Sequence, residues 1–319
     1  MSFAKDAKNQ VLNKPINNKC CGISFLSGLL HVSSEYDKFN NKLILVTDIP
    51  SLKNFCNDIL KMIYSASIEF VLDSEFKINK VVYFKYVLKT NNLEQILNDF
   101  CLFNNNNFSI DFIDKEKLKN QCCLKSFIKG VFVGCATSGI RLSEKKPEKT
   151  SSGYDIEFIA SSYTFLDKFS QLLESFNIFP KIIKRKKNYV LYIKERNAVC
   201  DLLAIVEAFN SVLQLQNELA IRELRNKVNR QTNCLNANIS KIVDASLKQL
   251  TAIKYISDTV GLEYLSADLQ EVALLRLANP EESLRELLKL ATFETSKSSL
   301  NHRLNKIIKI ANNLKSYKS

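Results

Sequence analysis

The strongest periodic signal along the chain is a set of apolar residues three and four positions apart: Phe25, Leu26, Leu29 and Leu30. The same spacing returns at Phe127, Ile128, Val131 and Phe132. Such spacing gathers apolar side chains on one face of a helix. Each of these helices carries a glycine inside its apolar run, Gly28 in one and Gly130 in the other. Glycine in a helix interior costs about 1 kcal/mol against alanine. Close helix–helix contact, which a missing side chain permits, is the physical reason to keep it.

The two helices open a longer echo. Residues 20–30 and 122–132 share five of eleven positions without gaps: two Cys, Ser, Phe and Gly. An internal repeat governs any reading of the fold. Period-two and helical patterns then follow in matching order. The first copy reads as a strand over 42–48, a helix over 49–64, strands over 67–73 and 79–89, and a helix over 91–103. The second reads as a strand over 154–160, a helix over 162–176, a hairpin over 179–194 and a helix over 195–210. The polar stretch "SEKKPEKTSSG" (143–153) reads as a loop insertion. Each copy is expected to run α-β-β-α-β-β-α, an α+β fold, with domains at 1–110 and 111–212.

From 211 onward strands disappear and helical periodicity takes over. Helices are expected at 214–234 and 237–256, a linker spanning 213–258. The segment 266–280 starts at Ser266 as N-cap and stops at Pro280. The next, 283–291, has Ser283 as N-cap and Glu286 in capping-box position. "TFET" (292–295) turns the chain into a last helix over 296–315. A short helix, a tight turn and a longer helix make a helix-turn-helix, here the all-α domain 259–319. In the last helix Leu300, Leu304, Ile307, Ala311 and Leu314 form the core stripe. Ser298, His302, Asn305, Lys306 and Lys309 point the other way.

Charge sharpens this picture. The chain carries a formal net charge of +12, which favours a polyanionic partner, nucleic acid before membrane surface. Composition biased to lysine and asparagine inflates that total but does not explain clustering. Residues 222–319 hold 16 Lys or Arg against 10 Asp or Glu. From Thr295 to Ser319 there are six Lys or Arg and no acid. In such motifs the first turns of the second helix read base edges in the major groove. That assigns Lys297, Ser298, Asn301 and His302 to bases and Arg303, Lys306 and Lys309 to phosphates, with Ser296, Ser299 and Asn305 completing the face. A protein-binding hairpin or a solvated face is the bland alternative. Lys184, Arg185, Lys186 and Lys187, close to Tyr189 and Tyr192, either track a nucleic-acid backbone or form a solvated turn. Arg222, Arg225, Asn229, Asn233 and Asn236, with Arg230 close by, share a helix face in the linker. A DNA-backbone contact, an interdomain surface and plain solvation each account for it.

Other chemistries find little support. There are nine cysteines and two histidines, His31 and His302, with no C-x-x-C and no zinc-ligand spacing. Cys20, Cys21, Cys122 and Cys123 read as reduced, small, mostly buried residues. Adjacent side chains on a helix point about 100° apart, which argues against a metal or redox pair. No metal, cofactor or small-molecule substrate is expected. No apolar run approaches the roughly 18 residues that span a bilayer, and the polar start lacks a signal-peptide core. The expected setting is the cytoplasm, at the nucleoid, with no membrane contact.

Two paired glycine helices, each leading into a mixed α/β half, resemble the LAGLIDADG homing endonucleases. The motif falls on "LSGLLHVSS" (26–34) and "IKGVFVGCA" (128–136). The resemblance implies a pseudo-twofold helix interface and two sheets forming a saddle over DNA. It places the catalytic acid at the eighth motif position, where this chain has Ser33 and Cys135. Divalent metals in such sites need carboxylates, so no catalytic residue is assigned; Glu35 and Asp37 are the only nearby acids in copy one. The tail stretches "NRQTNCLNANISKIVDASLKQLTAIKYI" (229–256), "LQEVALLRLANPEESLREL" (269–287) and "SKSSLNHRLNKI" (296–307) extend the resemblance. With them the chain is similar to the WhiA family of bacterial DNA-binding regulators. That implies a sigma-factor-like helix-turn-helix on an inactive endonuclease fold, binding double-stranded DNA, with roles in transcription control, cell division and chromosome segregation. The alternatives are an adaptor for an RNA polymerase sigma factor or cell-division proteins, and a residual metal-dependent nuclease.

Overall fold

A computed structural model describes residues 2–64, 68–104, 107–140 and 153–316. The chain forms two compact units, Met1–Ile221 and Arg222–Ser319. Most of the loop expected over 143–153 lies outside the described residues.

The first unit opens with α1 (Phe3–Leu12), then the first copy: α2 (Lys19–Ser33), β1 (Ser34–Asp37), β2 (Lys42–Thr47), α3 (Ser51–Tyr64), β3 (Glu69–Ile78), β4 (Val81–Lys89) and α4 (Leu93–Asp99). A small ribbon, β5 (Phe103–Asn104) and β6 (Asn107–Phe108), precedes the second copy. That copy comprises α5 (Gln121–Cys135), β7 (Ala136–Ser138), β8 (Ile156–Ala160), α6 (Tyr163–Glu174), β9 (Lys181–Arg185), β10 (Asn188–Ile193) and α7 (Arg196–Ile205). Both copies run αββαββα. Their sheets have matching antiparallel orders, β1-β2-β4-β3 and β7-β8-β10-β9. The first strand of each copy, to which no stretch was assigned, starts where the helix backbone turns extended at Ser34 and Ala136. The N-terminal segment, polar in sequence, is a helix that buries Phe3, Ala7 and Val11 in the main core.

Strand alternation gives each sheet an inner and an outer face. Leu43 and Leu45 on β2, Phe70 on β3, and Tyr86 and Leu88 on β4 are buried on the inner face of the first sheet. Ile156 and Phe158 on β8, with Leu191 and Ile193 on β10, do the same in the second. The Asn79–Lys80 turn joining β3 to β4 has both residues at positive φ, the geometry of a two-residue hairpin turn.

α2 and α5 cross at their glycines. A Cβ on Gly28 would collide with the Phe127 carbonyl oxygen, and one on Gly130 with the Phe25 carbonyl oxygen while lying 2.7 Å from the Leu29 nitrogen. Both obstacles are backbone, so no rotamer change relieves them. Four residues on, the copies differ. Val32 in α2 faces Gly134 in α5, where a Cβ would strike Val32 Cγ2.

The second unit holds most of α8 (Phe209–Thr259), then α9 (Ala267–Ala278), α10 (Leu284–Leu290) and α11 (Lys297–Ser316). The two linker helices expected at 214–234 and 237–256 are one continuous helix: no glycine or proline interrupts 209–259, and the 235–236 gap is filled by Leu and Asn, which a helix tolerates. Ala252, Ile253 and Ile256 of α8 pack with Leu269, Val272, Leu287, Leu300, Leu304 and Ile307 in a separate core.

Replacing Gly130 with alanine is expected to destabilise the first unit by about 2 kcal/mol, overpacking outweighing the gain in helix propensity. Gly134→Ala should cost less, and Val32→Ala added to it should recover part of the loss; denaturant unfolding of the parent, the Gly134→Ala and Val32→Ala single variants and the double variant measures the coupling.

Candidate nucleic-acid interface

The helix-turn-helix is built from caps inward. Ser283 caps α10 by accepting a hydrogen bond from the Glu286 amide at 3.3 Å. The Glu286 carboxylate turns instead to Lys289 at 3.0 Å, so the box is half formed. Ser266 occupies the N-cap position of α9 without capping it, its hydroxyl donating to Asp268 at 2.5 Å. Ser296 caps α11, accepting from the Ser299 amide at 3.1 Å. Its hydroxyl is thus committed to the helix, although the residue is exposed.

Leu300, Leu304, Ile307 and Ala311 are fully buried, while Leu314 is half-buried. Lys297, Ser298, Asn301, His302, Asn305, Lys306 and Lys309 are all exposed. Ser299 is half-buried. Arg303 is half-buried too: its Nε lies 3.8 Å from Asp268 and its guanidinium 5.6 Å from the Phe293 ring centre. The Asp268 carboxyl is held below its ordinary range, first by the Ser266 hydroxyl and then by the Arg303 and Lys306 charges. Arg303 therefore faces a competing carboxylate that the other cations of α11 do not share so closely.

One residue the sequence reading passed over holds the motif together. Arg276 on α9 is only 2% exposed. Its Nη1 donates to the Glu282 carbonyl at 2.7 Å and the Asn279 carbonyl at 3.3 Å, pinning the turn between α9 and α10. Burial lowers its pKa. Ser246 of α8 bonds the Pro280 carbonyl in the same turn. The available signal was a basic residue on the last turn of a helix, which hydrogen bonds to nearby carbonyls can use.

The basic hairpin divides. Lys184, Arg185, Lys186 and Lys187 are exposed, but Lys184 pairs with Tyr189 and Arg185 with Asn188 in register. Adjacent strand residues point to opposite faces, so Lys184 shares the core-side face of Tyr189 and Leu191. Arg185 lies on the outer face, where Glu157 accepts a bidentate pair at 2.9 and 2.8 Å. In the first sheet the outer-face Lys85 bonds Glu35 at 3.0 Å. One cation on each outer face is thus countered by a glutamate. On α8, Arg225, Asn229, Arg230 and Asn233 are exposed, and Arg222 is half-buried.

The motif positions of the absent acids are engaged elsewhere. Ser33 Oγ donates to the Leu29 carbonyl at 2.6 Å, and Cys135 Sγ to the Val131 carbonyl at 3.5 Å. Asp37 accepts from the amides of Phe39 and Asn40 and from the Asn40 side chain, and Glu35 is taken by Lys85. His31 is buried between the Ser27 and Phe112 carbonyls at 2.6 and 2.8 Å.

The reading of the four paired cysteines as separate, mostly buried residues is corrected. Cys21 and Cys123 are buried, Cys20 and Cys122 are exposed, and all four Sγ atoms lie within 4.8 Å of one another. The 100° argument holds within one helix; the pseudo-twofold sets a second pair against the first. Their presence at the same place in both copies was the signal that they meet. Among the described residues, no other group of His, Cys, Asp or Glu converges in this way, and no helix is long and apolar enough to cross a membrane.

A glycine-crossed, duplicated αββαββα body joined to a helix-turn-helix defines a LAGLIDADG-like protein with a helix-turn-helix tail. The comparisons give the family. A model described as the WhiA LAGLIDADG-like domain matches residues 124–225, and one described as the WhiA C-terminal HTH domain matches residues 228–311. A protein of Clostridium botulinum named "Probable cell division protein WhiA" is 34% identical over 322 residues, covering 99% of each chain. Its namesake in Bacillus subtilis is 33% identical over 319 residues, covering 99% of this chain and 98% of the relative. The crystal structure of full-length DUF199/WhiA from Thermotoga maritima superposes with a TM-score of 0.58 at 23% identity, covering 98% of this chain and 99% of that one. The chain belongs to the WhiA family.

Arg276→Ala is expected to lower the stability of the second unit by about 2–4 kcal/mol, because two turn carbonyls lose their donor and a cavity opens. Hydrogen exchange of the α9–α11 amides in the full chain, which should quicken together, is the measurement.

Proposed function

We propose that this chain is a sequence-specific DNA-binding protein that reads a duplex with α11 and acts as a transcriptional regulator in cell division, with a further role in chromosome segregation. One observation carries the reading: α11 turns an acid-free, lysine-rich, exposed face outward from a closed apolar core. Lys306 and Lys309 supply phosphate contacts, which set affinity and register without reading sequence. Asn301, His302 and Ser298, in the first turns, offer the donors and acceptors that base edges distinguish, and asparagine suits adenine. Cell division comes from the name that the relatives carry. The cytoplasmic, nucleoid-bound setting follows from a DNA partner.

The body is proposed as a scaffold without nuclease activity. Hard divalent cations need carboxylates, and Ser33 and Cys135 stand at those positions with their hydrogens given to helix carbonyls. Glu35 and Asp37 are held by Lys85 and by a turn. On the outer sheet faces Arg185 and Lys85 are already paired, which removes two of the cations that a backbone would meet there.

A second reading has its own support. Leu224, Val228, Leu235 and Ile239 on α8 are each more than half exposed and share one helix face by their spacing of four, seven and four. That stripe suits a protein partner, such as an RNA polymerase sigma factor or a cell-division protein, with DNA contact secondary.

Binding to the preferred duplex should fall steeply with salt, each lost phosphate contact reducing the slope by about 1. His302→Ala should cost about 1–3 kcal/mol on that duplex and little on random DNA, whereas Lys309→Ala should weaken both alike. Fluorescence anisotropy over a salt series checks this; equal losses on every sequence for both variants would remove the base-reading assignment. Supercoiled plasmid incubated with magnesium or manganese should stay intact.

A further inference from the structure

The four thiols at the start of α2 and α5 have no part in DNA reading, yet both copies write them. We propose that Cys20, Cys21, Cys122 and Cys123 form a closed tetrathiolate site for one zinc-class divalent ion, bridging the two copies across their pseudo-twofold axis.

The geometry carries the proposal. A tetrahedral zinc–thiolate centre has metal–sulfur bonds of about 2.3 Å, which sets its sulfur–sulfur edges near about 3.8 Å. The Cys122 and Cys123 sulfurs are 4.0 Å apart, and no pair in the set exceeds 4.8 Å. A contraction of about 1 Å at most closes the tetrahedron, within reach of small thiol rotations. Four soft sulfur ligands in that arrangement suit zinc or a single iron rather than magnesium or calcium. The compactness argues against a multi-iron cluster, whose cysteines must stand around the cluster rather than around one point.

The surroundings fit the ion as well. Ser126 of α5 hydrogen-bonds the Cys21 thiol of α2, while the Ser24 hydroxyl donates to the Cys20 carbonyl at 3.0 Å and steadies the first turn of α2. The second copy thus steadies a buried ligand of the first, as outer-shell groups do at metal centres. The cysteines sit in the first turns of their helices, after Lys19 and Gln121, where the helix dipole favours negative charge. Exposed Cys20 and Cys122 give the ion a route in from solvent. All four positions are filled by protein, so the site is structural, with no open coordination position for a substrate. The repeated Cys-Cys and Gly are then one device: the ligands, and the crossing that brings the two sets together.

The test uses the full chain, purified anaerobically without added metal. Elemental analysis should find about one zinc per chain, the filling of one four-thiolate site. Cobalt(II) added to the metal-free protein should give the intense visible bands of a tetrahedral tetrathiolate. Zinc should shield four thiols from alkylation. Cys20→Ser and Cys122→Ser, at exposed positions, should abolish the cobalt bands while circular dichroism stays unchanged; Cys234→Ser should have no effect. Ser126→Ala should weaken cobalt binding about 10–100-fold. Absence of both zinc and cobalt bands in the parent protein, equal uptake by the Cys20→Ser/Cys122→Ser double variant, or a cross-helix disulfide in the anaerobic protein would each overturn the proposal. Should the serine variants misfold, the alkylation pattern of the parent protein decides alone.

Discussion

Backbone touching backbone at the α2–α5 crossing is the constraint on which the first unit depends. Helix axes this close leave no room for a Cβ at Gly28 or Gly130. The approach fixes where each helix ends, and therefore where β1 and β7 begin and how the sheets lie. Phe25, Leu26, Leu29 and Leu30 then bury against the sheets and neighbouring helices, as do their counterparts in α5. Each such side chain contributes about 1.5–3 kcal/mol on burial, but that gain is available only because the glycines let the two apolar faces close. The cysteines meet for the same reason.

The two units differ in how they handle charge. In the first, two cations on the outer sheet faces are matched: Lys85 by Glu35, Arg185 by Glu157. In the second, the exposed face of α11 keeps its lysines unmatched by any acid of its own helix, and only Arg303 is drawn back toward Asp268. Exposed ion pairs add little stability, so the matching in the sheets matters more for the field they present than for folding. Both units carry a formal excess of +6, but the second gathers cations on one helix whose exposed face has no acid of its own. That contrast underlies the proposed reader.

Much of this was legible in the chain. The repeat was visible because a pseudo-symmetric interface repeats its special residues, and Gly28 and Gly130 announced the crossing by their cost. The core stripe of α11 followed from spacing alone. Other features depended on pairings that no local pattern encodes. Helix 209–259 was split in the reading because the polar run 229–241 weakens its periodicity, although nothing in it breaks a helix. The α1 helix looks polar in sequence because only half of its ten residues are buried, and one of those is a lysine. Arg276 and the Lys184–Arg185 division required knowing which turn and which sheet face lay opposite. The cysteines were misjudged by considering one helix at a time.

The Val32–Gly134 contact has a meaning beyond packing. The protrusion sits on one copy and the recess on the other, at equivalent positions. Two first copies facing each other would set valine against valine, and two second copies would leave a hole where no side chain reaches. Each half is thus shaped to reject its own likeness and accept the other. A body built from two matching halves can therefore not be assembled from either half alone.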